Sequence, residues 1–325
     1  MADPEPRPAG QTHTPLGRGG EFDVVRRLAE RWGQAARGLG DDAAILEPPP
    51  GEQLVVSTDA SVEHVHFRRR WLTSGEIGYR SAMAALSDLA AMGARPLGMT
   101  VVLALPPDWT DDLARLADGI GEAARVSGCP IIGGDLTRSA LLHCTFTVIG
   151  ATPRPVLRSG ARVGDLLYVT GLLGGPAAAL RALNQGTILN AAYRERFVRP
   201  TARVREGMWA AAHGASAMID ISDGLVSDAE HMAAASRVYL TIDLERLPVM
   251  RGCDPVDAAR SGEEYELLFA APPTLDKAAF MQEFKLPLSV IGEVSRGEDP
   301  EVGTVTFKQA GGRVDLPKGY DHFSR

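Results

Sequence analysis

Acidic side chains recur in this sequence beside glycines and at the ends of apolar segments. Carboxylates are seldom fully buried unless a cation or a hydrogen-bond donor meets them, so this placement is unusual for ordinary surface residues. Carboxylate and hydroxyl oxygens are also the ligands that magnesium prefers. The residues that fit this pattern are Asp41, Asp42, Ser57, Thr58, Asp59, Asp88, Asp135, Asp220, Ser222 and Asp223.

The first two groups precede or follow apolar runs. Asp41 and Asp42 follow Gly40 and lead into the apolar residues 43–46, and because adjacent like charges repel, a nearby cation would relieve them. The hydroxyls and the carboxylate of residues 57–59 end the apolar QLVV segment and offer only hard oxygen ligands. An exposed turn and an ordinary strand end are the alternative interpretations.

Asp88 and Asp135 have different surroundings. Asp88 falls inside a predicted helix whose neighbouring positions are small or apolar, where a lone carboxylate is costly without a cation or a donor. Asp135 follows Gly133 and Gly134 at the predicted end of a short strand, and glycine lets backbone amides approach a phosphate closely. A solvated helix face and a simple turn are the respective alternatives.

The segment DISDG at 220–224 joins a predicted strand to a predicted helix. Asp220 and Ser222 point the same way by strand alternation. We expect Ser222 or Asp223 to cap the helix, and the free N–H groups of a helix start can also bind a phosphate. The sequence contains no P-loop and no GxGxxG after a strand, so an enzyme that binds a nucleotide here would hold its phosphates mainly by metal, glycine backbone and arginine. Together the five acidic sites favour several magnesium ions on nucleotide phosphates.

Helices and strands must alternate to position these residues. Apolar periodicity predicts helices at 21–32, 75–92, 111–126 and 225–235, with a further Ala-rich helix after residue 176. Apolar runs predict strands at 43–46, 53–57, 97–105, 130–132, 141–150, 166–170, 218–221, 239–242 and 265–270. This interleaving predicts an α/β or α+β fold. We expect a disordered lead at 1–19 and two domains, 20–152 and 153–325, divided at a proline-containing stretch.

The composition excludes several classes of protein. Hydrophobic residues make up 45% and charged residues 23% of 325 residues, which suits a packed globular chain. The net charge of -7 argues against a nucleic-acid partner. The three cysteines form no metal-binding or disulfide pattern, and the sequence shows neither a secretory signal nor a membrane-spanning run, which predicts a cytoplasmic protein without membrane contact.

Two further clusters contain side chains that could bind a metal or a substrate. His64 and His66 form an HxH pair, but no further histidine or cysteine lies nearby in sequence to complete a zinc site, so a surface pair or a substrate contact is favoured. Glu263, Glu264 and Glu266 precede a strongly apolar strand, and two of these acids are interpreted as solvated turn residues.

In order, these motifs match those of a known family from Gly20 to Phe323. The sequence resembles the bacterial thiamine-monophosphate kinases in the segments GEF, GDDAAIL, STDASVEHVHF, LSDLAAMGARP, IIGGDLTR, LRSGARVGD, DISDGLVSD, GEEYELLF and KGYDHF. The resemblance implies a two-domain aminoimidazole ribonucleotide synthetase-like fold. Its N-terminal mixed-sheet domain would form a homodimer through the sheet, and its C-terminal α/β domain would close over the nucleotide.

The resemblance also implies roles for particular residues. Those expected to bind magnesium are Asp42, Ser57, Thr58, Asp59, Asp88, Asp135, Asp220 and Asp223. Those expected to contact ATP are Gly134, Asp135, Arg158 and Ser222, and those expected to contact the thiamine moiety are His66, Glu263 and Tyr320. Glu63-His64 departs from the Glu-Gly common in the family and Glu264 from its Asp, which leaves the shape of the thiamine pocket open.

The implied reaction is ATP-dependent, magnesium-assisted phosphorylation of thiamine monophosphate to thiamine diphosphate. The acceptor oxygen of a phosphate monoester is already anionic at neutral pH, so no general base and no phosphoenzyme are expected. The alternatives are another ATP-using enzyme of the same superfamily and a nucleotide or metal sensor without turnover. The superfamily members with a reactive cysteine near either terminus fit poorly, since the first cysteine is Cys129 and the chain ends without one.

Overall fold

The computed structural model describes residues 13, 19–109, 112–296 and 303–317. The elements of the N-terminal half are α1 (Gly20–Trp32), β1 (Gln53–Val62), α2 (Ser74–Ala91), β2 (Arg95–Leu105), α3 (Leu113–Ser127), β3 (Ile131–Arg138) and β4 (His143–Thr152). Those of the C-terminal half are β5 (Leu166–Thr170), α4 (Gly175–Gln185), α5 (Ala191–Val198), α6 (Val204–Ala212), β6 (Ala217–Asp220), α7 (Leu225–Ser236), β7 (Tyr239–Asp243), α8 (Pro255–Ala259), β8 (Leu267–Ala271), α9 (Lys277–Phe284), β9 (Leu288–Ser295), β10 (Thr304–Gln309) and β11 (Gly312–Val314).

The N-terminal half contains a four-stranded mixed sheet in the order β1-β4-β2-β3. β2 and β3 run parallel, whereas the other neighbours are antiparallel. Alternate residues such as Phe146 and Val148 of β4 are fully buried, and β1 and β4 pack against α2 on this side. On the other face, Leu54 and Val56 of β1 are 49% and 61% exposed. One face of this sheet is therefore open.

The C-terminal half contains a seven-stranded mixed sheet in the order β11-β10-β7-β9-β5-β8-β6. β10 runs parallel to β7, and the other pairs are antiparallel. Buried clusters involve both the α7 side and the α6 and α9 side of this sheet. Two mixed sheets with packed helices confirm the predicted α/β (α+β) fold, while the exact boundary between 152 and 153 stays a prediction.

Helix α2 lies at the junction of the two halves. Thr73 and Glu76 form a reciprocal capping box at its start, and its many alanines keep it narrow. A side chain at Gly207 of α6 would place its Cβ 2.1 Å from the Ala90 carbonyl oxygen, so α6 packs directly on the α2 backbone. Phe197 of α5 belongs to the same buried core as the N-terminal half. The two halves thus share α2 as a common wall.

Three sequence-based predictions about local structure are wrong. Strand β1 does not end at residues 57–59 but continues to Val62. Residues 43–46 form no strand, and Ile45 is 92% exposed. Strand β3 does not end at the two glycines but continues to Arg138. Gly134 is required inside the sheet because its Cβ would lie 2.0 Å from the Val101 carbonyl oxygen.

Most of the predicted lead at 1–19 lies outside the described residues. No helix in the described ranges combines the length and apolarity that a membrane span requires.

Candidate functional site

A cavity of about 550 Å³ lies between the two halves of the chain. Its lining combines carboxylates with apolar and aromatic side chains. The polar residues among them are Thr58, Asp59, His66, Asp88, Asp220, Ser222, Asp223, Arg260 and Glu263, and the apolar and aromatic ones include Val65, Trp71, Ala84, Pro176, Ala177, Leu180, Phe197 and Tyr265. The structure therefore brings together most of the residues predicted from sequence.

Two adjacent residues of α2 connect the strands that carry the acidic side chains. The Ser57 hydroxyl of β1 donates a hydrogen bond to Asp88 Oδ2 at 2.5 Å. The Ser87 hydroxyl donates to Asp220 Oδ2 at the end of β6 at 2.7 Å. Asp88 and Asp220 thus lie beside each other although 132 positions separate them in sequence. With Asp59 they form what we call the acidic part of the cavity.

Burial controls the ionisation of these carboxyls. Together with the charge of Asp88, it raises the pKa of Asp220 to about 7. Burial also raises the pKa of Asp88, whereas the hydrogen bond from Ser57 lowers it. The Arg158 guanidinium lowers the pKa of both groups, which places this predicted ATP contact within electrostatic reach of the acidic part. A cation bound here would favour the ionised forms.

The acidic part fits magnesium that is shared with a ligand. Within the described residues, no three acidic, histidine or cysteine side chains are arranged to hold a metal ion by themselves. Magnesium usually keeps several waters and binds through one or two carboxylates together with substrate phosphates. Paired oxygen ligands from Asp88 and Asp220, with Asp59 nearby, suit that mode better than a closed protein cage.

The loop after β6 differs from its prediction. Neither Ser222 nor Asp223 caps α7, whose N-cap residue is Gly224. Instead, Asp228 Oδ2 inside the helix accepts hydrogen bonds from the backbone N–H groups of 222, 223 and 224 at 3.1 to 3.2 Å. These amides are therefore directed at Asp228. Burial, with the charges of Asp220 and Asp223, raises the pKa of Asp228 to about 8.

Two predicted magnesium ligands, Asp42 and Asp135, lie apart from the acidic part. Asp42 is exposed and does not line the cavity. In the N-terminal sheet, Asp135 is the cross-strand neighbour of Val102, and Thr145 and Ala60 continue the same line across the sheet. Asp59 is the cross-strand neighbour of buried Phe146, one residue further along. Because side chains alternate between faces, Asp135 lies on the open face and Asp59 on the face toward α2.

Gly134 and Asp135 are also distant across the sheet. Three strand spacings of about 4.8 Å separate β3 from β1, which amounts to about 14 Å. Thr58 belongs to the open face as well, where its hydroxyl lies 2.9 Å from that of Thr147, although it lines the cavity edge. The roles given to Asp42, Gly134 and Asp135 stay predictions.

The lining residues Trp71, Phe197 and Glu263 form what we call the aromatic part of the cavity. Arg80 contacts two of them. Arg80 is 4% exposed, forms an ion pair with Glu263 and donates a hydrogen bond to the Phe197 carbonyl oxygen. Its guanidinium carbon lies 4.3 Å from the centre of the Phe197 ring. Arg80 precedes Asp88 by two turns of α2, or about 12 Å along the axis. Glu263 and Phe197 are therefore displaced along α2 from the acidic part.

The segment containing Glu263 has an unusual backbone. Glu263 and Tyr265 have φ angles of 59° and 51°, in the left-handed region that costs most residues energy. Their N–H groups donate to the carbonyls of Ser222 and Ile221, at 2.7 and 2.9 Å, which ties this segment to the loop after β6. Both side chains line the cavity. Strain of this kind is commonly held at functional sites.

The interpretation of two neighbouring acids as solvated turn residues is wrong. Glu264 and Glu266 are fully buried. Glu264 accepts a hydrogen bond from the Gly174 N–H at 2.6 Å, and Glu266 pairs with Arg196 and Arg203. The family departure at Glu264 therefore does not reach the cavity.

The remaining predicted substrate contacts are His66 and Tyr320. His66 lines the cavity, and its Nδ1 accepts a hydrogen bond from the Val62 N–H at 3.0 Å, so the neutral ring carries its proton on Nε2. His64 does not line the cavity, and its φ of 70° lies in the left-handed region that glycine adopts most readily. Tyr320 lies outside the described residues.

Sequence reasoning missed Trp71, Phe197 and Arg260. Trp71 and Arg260 lie outside regular elements, and Phe197 belongs to a short helix without strong periodicity. The one available signal was the RRRW segment at 68–71, where three arginines precede an aromatic residue.

Comparisons with known proteins identify the family. Family models for the AIR synthase related protein N-terminal and C-terminal domains match residues 40–152 and 162–304. The Thiamine-monophosphate kinase of Salmonella typhimurium is 35% identical, with 94% of this chain and 98% of that protein covered. The solved Thiamine-monophosphate kinase from Stenotrophomonas maltophilia is also 35% identical, with a TM-score of 0.78 over 90% of this chain and 97% of that one.

One relative has been solved with ligands bound. The structure of AaThiL complexed with AMPPCP and TMP is 30% identical to this chain, with a TM-score of 0.73 over 95% of this chain and all of that one. The fold and the paired domain matches define an AIR synthase-related protein. Within that class, the chain belongs to the thiamine-monophosphate kinase family.

Proposed function

We propose that the protein transfers the γ-phosphoryl group of ATP to thiamine monophosphate, with thiamine diphosphate and ADP as products. The observation that carries this proposal is the division of one cavity into an acidic part and an aromatic part. The acidic part suits magnesium-bound phosphates, and the aromatic part suits a flat organic cation. AaThiL, a relative of this chain, has been solved with AMPPCP and TMP.

The aromatic part fits the thiamine moiety chemically. Trp71 and Phe197 supply aromatic surface, while Glu263 supplies a carboxylate for the positively charged thiazolium and the donor groups of the aminopyrimidine. His66 can donate from Nε2. We propose His66 and Glu263 as thiamine contacts and retain Tyr320 as a predicted one.

The reaction needs little covalent chemistry from the protein. The acceptor phosphate is largely ionised at neutral pH, so its oxygen attacks the γ-phosphorus without a general base. We therefore propose direct in-line transfer without a phosphoenzyme. The task left to the chain is to hold two anionic substrates in line and to exclude water.

Magnesium, when bound, would neutralise phosphate charge and favour the departure of ADP. We propose Asp59, Asp88, Asp220 and Asp223 as its principal protein ligands, with Ser57 and Ser87 orienting Asp88 and Asp220. Arg158 and Ser222 are proposed ATP contacts, together with Gly134. Asp42, Thr58 and Asp135 are retained as predicted ligands of further ions.

A product assay tests the proposal. Purified protein is incubated with ATP, magnesium and either thiamine monophosphate or thiamine, and the products are identified by mass spectrometry. Thiamine diphosphate formed only from the monophosphate supports the proposal, whereas product from free thiamine shows that the acceptor is wrong. ATP binding without ADP release favours the sensor alternative, and turnover with neither acceptor favours another reaction of the superfamily.

We also propose a homodimer formed through the open face of the N-terminal sheet. Leu54 and Val56 expose apolar surface there, and Asp135 lies on the same face. Light scattering of the wild type and of Val56→Lys tests this, since a charge in a buried interface is expected to give monomers. A monomeric wild type contradicts the homodimer without affecting the proposed reaction. The cytoplasmic location stays a prediction.

A further inference from the structure

Arg260 differs from the arginines that pair with Glu263 and Glu266. Arg80 pairs with Glu263, and Arg196 and Arg203 pair with Glu266. Arg260 lines the cavity and is exposed, yet within the described ranges its guanidinium forms no hydrogen bond or ion pair. It is therefore a cationic group without a counterion on the wall of an acidic cavity.

The backbone of Arg260 is fixed against the loop after β6. A Cβ at Gly224, where φ is +112°, would lie 3.0 Å from the Arg260 carbonyl oxygen. A Cβ at Gly262 would lie 2.9 Å from the Ser222 carbonyl oxygen. The segments 222–224 and 260–262 therefore touch backbone to backbone, which is possible because glycine has no side chain at either crossing.

This position lies between the two parts of the cavity. On one side, segment 260–262 contacts the loop that carries Asp223. On the other side, it leads directly to Glu263, which pairs with Arg80 beside Phe197. In the proposed reaction, the acceptor phosphate must lie between the thiamine heterocycle and the metal-bound phosphates of ATP. Arg260 is therefore near the expected place of that phosphate.

The charges of the lining give Arg260 a specific task. Five carboxylates line the cavity, namely Asp59, Asp88, Asp220, Asp223 and Glu263, against a single guanidinium. A phosphate monoester carries nearly two negative charges at neutral pH and is repelled by such a lining. A planar guanidinium can hold a phosphate through two parallel hydrogen bonds.

We propose that Arg260 binds the phosphate of the acceptor and selects a phosphorylated thiamine over free thiamine. This assignment rests on the proposed function, because Arg260 is assigned to the phosphate of the proposed acceptor. Arg260 is a substrate-binding residue in this view, distinct from the residues proposed to bind magnesium and ATP.

The test compares Arg260→Gln and Arg260→Lys with the wild type and with Arg246→Gln. Arg246 is also an exposed arginine of the C-terminal half, but it pairs with Asp243 and does not line the cavity. Steady-state kinetics give kcat and the KM values for thiamine monophosphate and ATP. Calorimetric titration with thiamine monophosphate and with thiamine measures binding independently of turnover.

For Arg260→Gln we expect a loss of about tenfold or more in affinity for thiamine monophosphate, as for other charge-assisted phosphate contacts. The affinity for thiamine and the KM for ATP should stay within about twofold, a range of roughly 0.4 kcal/mol. Arg260→Lys should be intermediate because it keeps the charge but loses the planar fork. Arg246→Gln should resemble the wild type.

Other outcomes overturn the assignment. Equal losses of affinity for thiamine monophosphate and thiamine would show that Arg260 does not recognise the phosphate. Unchanged affinity for both would show that Arg260 makes no contact with the substrate. A raised KM for ATP would place it on the donor phosphates. If the wild type binds neither thiamine ligand, the proposed function fails as well, whereas the first three results leave that function standing.

Discussion

The acidic and aromatic parts of the cavity are built in different ways. Asp59, Asp88 and Asp220 come from β1, α2 and β6, whose backbones are fixed by sheet and helix hydrogen bonds. Trp71 and Arg260 come from connecting segments, and Phe197 comes from a short helix. The rigid part carries the groups proposed for phosphoryl transfer, and the connecting segments carry the groups proposed for substrate choice. This division follows the general pattern in which loops vary specificity on a fixed scaffold.

The largest catalytic loss is expected for substitutions in the acidic part. Asp220→Asn should lower kcat by about 10³-fold, which corresponds to roughly 4 kcal/mol of lost charge stabilisation. Since burial already disfavours the ionised carboxyl, the same variant should unfold at an equal or higher temperature at pH 8. Steady-state kinetics and thermal denaturation check both points. Activity within tenfold of the wild type would contradict the role given to Asp220.

Arg80 tests whether the aromatic part depends on a buried ion pair. Arg80→Met should lower the free energy of unfolding by about 3 to 5 kcal/mol, because Glu263 loses its counterion and the Phe197 carbonyl loses its donor. Arg80→Met with Glu263→Gln should recover part of that loss. Urea denaturation of the single and double variants measures the coupling. Additive effects would show that the pair is energetically unimportant.

The acidic part should also make magnesium binding depend on pH. With a pKa of about 7, Asp220 is mostly protonated at pH 6, and binding of a metal must then displace the proton. Apparent magnesium affinity should therefore rise with pH, by up to about tenfold per unit below pH 7, and become constant above pH 8. Calorimetric titration with magnesium in the presence of a non-hydrolysable ATP analogue, with the analogue alone as the blank, measures this. Asp220→Asn should flatten the profile, and an unchanged slope would assign the proton to another group.

In the aromatic part, Trp71→Leu should mainly weaken binding. Loss of the aromatic face should raise the KM for thiamine monophosphate by about tenfold, or about 1.4 kcal/mol, with kcat nearly unchanged. The matched control is Trp209→Leu, since Trp209 packs against Phe280 and does not line the cavity. A change in kcat alone would indicate that Trp71 affects the transfer step.

The smallest effect is expected outside both parts. His64→Gly relieves a left-handed φ but adds chain entropy to the unfolded state, so the free energy of unfolding should change by less than about 1 kcal/mol. Kinetic constants should match those of the wild type because His64 does not line the cavity. Denaturation and kinetics together check this, and an altered KM for thiamine monophosphate would show that the family departure reaches the pocket.

The sequence allowed the acidic part of the cavity to be predicted but not the aromatic part. The acidic residues could be found because carboxylates beside apolar runs violate the usual pattern of burial, as at Asp88 and Asp220. The predicted ends of α2 were correct to one residue because capping and composition agreed there. The aromatic residues could not be found, since a tryptophan or a phenylalanine in sequence looks the same whether it lines a core or a cavity.

The errors also have physical causes. Gly133 and Gly134 suggested a strand end, but Gly134 serves the close approach of β2 within a continuing strand. The apolar run 43–46 suggested a strand that the fold does not pair. Ser222 and Asp223 looked like helix caps by local spacing, whereas Asp228, four residues into α7, takes the amides instead. Local patterns do not reveal which partner a long-range contact supplies.

Helix α2 has a consequence for how such chains diversify. Family models divide the chain into two units, yet α2 of the first unit holds Asp220, Glu263 and Phe197 of the second through Ser87 and Arg80. The units are therefore not interchangeable modules. A chimera that joins residues 1–152 to the second half of a relative should regain its site only if the relative offers matching partners to that one helical face.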